Sequence, residues 1–221
     1  MRNLINIVLE NFEGSFNENF PLYHGTDAEF DQFDPKFYRT GKHIYTSPDV
    51  RTAAYYGNNV YLCYGRSGTM ANLIEDERIK LAIAKNFAER AYDSVEYNDE
   101  LSTLKQEIAD DLLQNATDDE YDAYDAEIDA NDDPRFKKAL QRAAISFMYD
   151  LISEGKVYDW DNGNLQAEIL DFCFDLGYTS VLFTDYNSEG SPISVVFDNP
   201  TDIKIVKKLS QQEIEETPYY H

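Results

Sequence analysis

The strand-forming segments of this chain lie at its two ends. Residues 21–23, 44–46 and 60–64 carry short apolar and β-branched runs bounded by turn residues, and residues 178–184, 193–197 and 203–206 carry them again near the end. Between them helical spacing prevails. Residues 73–92 place Leu73, Ile74, Leu81, Ile83, Ala84, Phe87 and Ala91 at helical intervals, and residues 101–113 and 136–152 repeat the pattern. A sheet whose strands are separated by the whole helical middle closes only by pairing distant segments, so the expected class is α+β. A further helix over 165–176 precedes the late strands and stops at Gly177, a residue suited to the helix C-terminus.

The 221 residues suit one domain carrying a subdomain. We expect a core from 20–69 and 161–209, an N-terminal helix or extension over 1–19, and an acidic helical insertion over 70–160. With 43% apolar and 14% aromatic residues the chain can pack a core, which excludes wholesale disorder. Its formal net charge of −23 excludes direct binding to nucleic-acid phosphates or to an anionic membrane surface, and favours a partner with a basic surface. No apolar stretch is long enough to span a bilayer. Cys63 and Cys173 have no paired spacing, which suits buried thiols in a reducing compartment and a cytoplasmic protein. Residues 116–133 hold nine carboxylates and no base, the pattern of a solvated face or loop.

Two motifs carry chemistry. In Leu22-Tyr23-His24-Gly25-Thr26 a strand ends with an imidazole, a residue without a side chain, and a hydroxyl. Gly25 lets backbone N–H and C=O groups lie against a flat amide. Residues 41–57 follow, GKHIYTSPDVRTAAYYG. Ile44-Tyr45-Thr46-Ser47 reads as a strand, Pro48 sits at the first turn of a helix, and that helix runs through Ala53 to Tyr56. One tyrosine then sits on a strand and another on a helix, where a ring face can stack on a planar cation. With 17 tyrosines in the chain, core packing is the competing use of both.

Histidine-glycine-hydroxyl on one strand, then G-K-x-I-Y, then a helix ending A-x-Y, resembles the ADP-ribosyltransferase superfamily. The nearer branch is the diphtheria-toxin and poly(ADP-ribose) polymerase type, with its His-Tyr-Glu triad. Order and spacing match through 41–57, and residues 178–206 match in pattern; residues 70–160 fall outside. The resemblance implies a split, mixed and antiparallel sheet core that binds NAD as substrate, without a metal. It implies a cofactor pocket of Tyr23, His24, Gly25, Thr26, Ile44, Tyr45, Ala53 and Tyr56. In it His24 bonds the adenosine-side ribose, the Gly25 backbone clasps the nicotinamide amide, Tyr45 is the triad tyrosine, and Tyr56 stacks on the nicotinamide ring.

Two departures accompany the resemblance. Ala53 stands where the family often has serine, which removes one neutral hydrogen bond worth about 0.5–1.5 kcal/mol. Ile193 stands where the family has its glutamate. The stretch 176–185 ends in an aspartate, as in small phage-encoded ADP-ribosyltransferases of an anti-CRISPR type, which makes Asp185 the first choice for the catalytic acid and Glu189 the second. The expected activity is mono-ADP-ribosyl transfer from NAD to a protein, with nicotinamide released and a host factor inactivated. The alternatives are an NAD glycohydrolase and an inactive acidic binding or inhibitor protein. Residues 185–190 imitate half a calcium loop but lack its closing glutamate, and His43 and His221 lack partners at ligand spacing.

Overall fold

The computed structural model of the protein describes residues 20–34, 43–66, 68–96, 98–117, 122–157, 164–184 and 193–217. The helix read over 1–19 and the loop 185–190 therefore lie outside the described residues. In the first half run β1 (Leu22–Thr26), β2 (Ile44–Thr46), α1 (Val50–Tyr55), β3 (Asn59–Gly65), β4 (Met70–Asn72), α2 (Glu77–Phe87), α3 (Tyr92–Val95) and α4 (Asp99–Asn115). Then come α5 (Ala123–Asp132), α6 (Pro134–Ser153), α7 (Asn164–Asp175), β5 (Ser180–Thr184), β6 (Ile193–Phe197), β7 (Ile203–Lys208) and α8 (Gln211–Glu216). The fold is α+β. It divides into two compact units, Met1–Ile79 with Glu154–His221, and Lys80–Ser153.

The first unit holds the seven strands of the described residues in two sheets, ordered β1-β3-β7 and β2-β6-β5-β4. All pairings are antiparallel except β4 with β5. Each sheet joins early strands to late ones, as their placement in the sequence requires. Leu22, Cys63 and Ile203 from one sheet and Ile44, Leu182, Val195 and Phe197 from the other form one buried cluster. Strand alternation sends the next residues to the opposite face, where Tyr23 and Val60 pack with Val50 and Ala53 of α1 and with Leu209. β5 is buried along Ser180–Phe183, as expected of a strand with neighbours on both sides.

Several boundaries differ from the sequence reading. α1 begins at Val50, after Pro48, because the Asp49 carboxylate accepts from the Arg51 N–H at 3.0 Å and caps the helix. α7 does stop as read, ahead of Gly177, which takes φ +90° while its N–H bonds the Phe174 carbonyl at 2.9 Å. β4 falls among residues read as helical; three residues are too few to show alternation. α8 closes with a capping box in which Ser210 and Glu213 exchange hydrogen bonds.

The second unit is helical, and its core mixes small and large residues: Ala84, Ala88, Ala91, Ala126, Ala130 and Ala144 are buried with Ile83, Ile108, Phe136 and Met148. The acidic run is not a loop throughout. Asp122 accepts from the N–H groups of Tyr124 and Asp125 at 2.8 and 3.1 Å and starts α5, which packs against α4. Arg135 joins Asp133 to Asp111 of α4 at 3.0 and 3.1 Å. The carboxylates of the helix itself are exposed.

Candidate functional site

β1 and β2 are edge strands, and the candidate site is the seam where the two edges meet. The Tyr23 N–H donates to the Ser47 carbonyl at 2.7 Å, and the Ser47 N–H returns a bond to Tyr23 at 2.9 Å. Peptide groups alternate sides along a strand. Because Tyr23 spends its pair toward β2, Gly25 turns its own N–H and C=O to that same edge, away from β3. This is the geometry a planar amide ligand needs.

The type of residue at 25 has a packing cause. A Cβ there would stand 1.6 Å from the carbonyl oxygen of Ala53, so α1 lies against β1 at a distance only glycine permits. Ala53 is 3% exposed and belongs to the cluster beneath α1, which leaves a serine hydroxyl no open space at that position.

His24 is fixed from three sides. Its Nδ1 lies 2.7 Å from the Tyr45 carbonyl oxygen, and the rings of Phe33 and Phe30 stand 5.1 and 5.9 Å away. A carbonyl only accepts, so Nδ1 carries the proton and the neutral ring keeps Nε2 as an acceptor suited to a hydroxyl. Burial pulls the His24 pKa below its usual value of 6.5 and outweighs the opposing Tyr45 bond, so the ring is neutral at neutral pH. Phe30 and Phe33 went unnoticed in the sequence, although aromatic residues six and nine places past a histidine are a visible signal. Phe30 also stacks on Tyr61 at 4.9 Å.

Tyr45 is half-buried between two buried neighbours, Ile44 and Thr46, so its side chain takes the opposite face of β2. Thr46 and Ser47 donate from their hydroxyls to the carbonyls of Val195 at 2.7 Å and Ile193 at 3.0 Å. Ile193 in turn pairs with Thr184, the last residue of β5. A continuous run of contacts therefore links Tyr23, Ser47, Ile193 and Thr184, joining β1 to the end of β5. Asp185 and Glu189, the residues read as the catalytic acid, lie outside the described residues.

The other sequence-selected residues divide by accessibility. Tyr56 caps the C-terminal end of α1, half-exposed, with its ring edge-on to that of Tyr55 at 5.5 Å. The side chains of Tyr23 and Ile44 are core, at 6% and 2% exposure, so only their backbones face the seam region. The Thr26 hydroxyl accepts from the Ala28 N–H at 3.2 Å and is spent on the local turn. Cys63 and Cys173 are buried free thiols, both pushed up to about 12 by desolvation. His43, buried at the start of β2, lies 3.0 Å from Asp171 and 3.3 Å from Asp198. Among the described residues no three His, Cys, Asp or Glu side chains are grouped to hold a metal ion, and no helix is long and apolar enough to cross a membrane.

No family model matches the sequence, and no curated protein does. Among solved structures the chain is similar to one titled crystal structure of an anti-CRISPR protein, with 12% identity and a TM-score of 0.34, over 84% of this chain and 94% of that one. A likeness this weak fixes neither fold family nor function.

Proposed function

We propose that the protein is an NAD-dependent mono-ADP-ribosyltransferase of the ADP-ribosyltransferase fold, acting on a protein with a basic surface. The observation that carries the reading is the seam itself. β1 meets β2 there, the late strand β6 is tied in through Ile193 and Ser47, Gly25 turns an N–H and a C=O toward the strand edge, and His24 is held neutral beside Tyr45. An amide edge matches the carboxamide of nicotinamide, and Nε2 of His24 matches a ribose hydroxyl.

In this reaction the bond from the ribose anomeric carbon to nicotinamide breaks heterolytically. Nicotinamide leaves neutral with the electron pair, and the ribose passes through an oxocarbenium-like state. A nucleophilic side chain of the acceptor bonds that carbon and loses its proton. The chain's own residues bind and orient: Gly25 holds the amide, Tyr56 supplies a ring face, Tyr45 lines the ribose, and the hydrophobic wall of Phe30 and Phe33 excludes water around His24. Asp185 supplies the negative charge near the anomeric carbon. It follows Thr184, which is tied to the seam through Ile193 and Ser47. Ile193 has no charge to offer, so the acid comes from the segment after β5.

The test is labelled NAD with host lysate. Transfer labels a protein band; a glycohydrolase releases nicotinamide without labelling protein; an inactive binder does neither. Asp185→Ala is expected to keep the fold and lose a factor of about 10²–10³ in transfer rate, the usual effect of removing one preorganised electrostatic contact. Normal labelling by that variant would reject Asp185 and move the role to Glu189.

A further inference from the structure

α5 packs the wrong way round for an ordinary amphipathic helix. Ala126 and Ala130, one turn apart, are buried, while Tyr124 is 70% and Ile128 46% exposed. At 3.6 residues per turn, Tyr124 and Ile128 also lie one turn apart, on the face opposite the alanines. The helix therefore hides its smallest side chains and displays its largest apolar ones. Carboxylates border that crest: Glu127 on one side, Asp125, Asp129 and Asp132 on the other.

We propose that this crest is a docking surface for a Lys/Arg-rich protein segment that carries apolar side chains of its own. An exposed tyrosine backed by an aliphatic residue has the makings of an interface anchor, and the acidic rim selects the occupant. A second copy of this chain brings the same −23 charge and is repelled. Nucleic acid and anionic lipid are repelled likewise. A basic segment gains from both parts of the surface, its apolar groups covering Tyr124 and Ile128 and its cations meeting the rim. The proposal deepens the partner side of the transferase reading, but its test involves no NAD chemistry, so the two fail separately.

The probes are two synthetic peptides of equal positive charge, one with lysines and leucines at amphipathic helical spacing, the other with serines in place of the leucines. Binding to the full chain is measured by calorimetry, with amide shift mapping. The Lys/Leu peptide is expected to bind about tenfold more tightly than the Lys/Ser peptide, with shifts centred on 122–132. The double variant Tyr124→Ser with Ile128→Ser should abolish that preference while keeping the helical circular dichroism. The triple variant Asp125→Asn, Glu127→Gln, Asp129→Asn should weaken both peptides and flatten the salt dependence. Equal binding of the two peptides by the unmodified chain, or an undiminished preference in the double variant, would overturn the proposal.

Discussion

The strand-bearing unit and the helical unit solve the same problem in opposite ways. In the first, segments from both ends of the chain interlock, and one position is so tight that no side chain fits between Gly25 and Ala53. In the second, the helices bury alanines together with Ile83, Ile108, Phe136 and Met148, and the carboxylates of α5 lie outside. Tolerances differ accordingly. A methyl group matters in the first unit by where it cannot go, and in the second by what it covers.

Substituting a single carbon tests this contrast most directly. Gly25→Ala must push α1 off β1, since the obstacle is backbone; we expect it to cost more than about 3 kcal/mol, the upper range for overpacking, in urea unfolding. Ala130→Gly in the second unit removes one buried methyl and loosens one helical turn, for about 1–2 kcal/mol by the same measurement. If the two costs come out equal, the two units do not differ in tightness.

Next in size is a pH effect confined to the first unit. His24 is neutral in the fold and its pKa is lowered, so below pH 6.5 the unfolded chain takes up a proton that the folded chain resists. Its contribution to stability is full above that pH and is lost as the pH falls from the unfolded value through the lower folded one. The urea midpoint should fall more steeply on acidification in the native protein than in His24→Asn, and parallel slopes would show that the ring is not buried as described. The smallest effect is expected at Arg135. Arg135 and Asp111 are half-exposed and only Asp133 is largely covered, so Arg135→Ala should lower the midpoint by less than Ala130→Gly does.

What the sequence revealed follows from the length and regularity of each signal. The run Ile193–Phe197 reads as a strand because Ile, Val, Val and Phe crowd into five residues, and the structure buries all but the first. The stop at Gly177 reads because positive φ belongs to glycine. β4 stays hidden in three residues, and α8 was missed although Ser210 and Glu213 spell its cap in plain sight. In the site, the family resemblance singles out His24, Gly25 and Tyr45, and in the structure the His24 ring lies against the Tyr45 carbonyl. Sequence could not tell that Gly25 is dictated by the carbonyl of Ala53, because that contact depends on how closely α1 approaches β1. Nor could it separate the side chains of Ile44 and Tyr23, which are core, from their backbones, which border the seam.

Among the described residues β1 and β2 meet through a single pair of peptide hydrogen bonds, and each is the last strand of its sheet. A flat molecule with one donor and one acceptor, seated beside Gly25, would extend that pairing as a short third participant. The same margin would also accept another chain, as any open strand border does. β1 and β2 are only five and three residues long, which leaves room for a small guest but too little for stable growth of a β-stack.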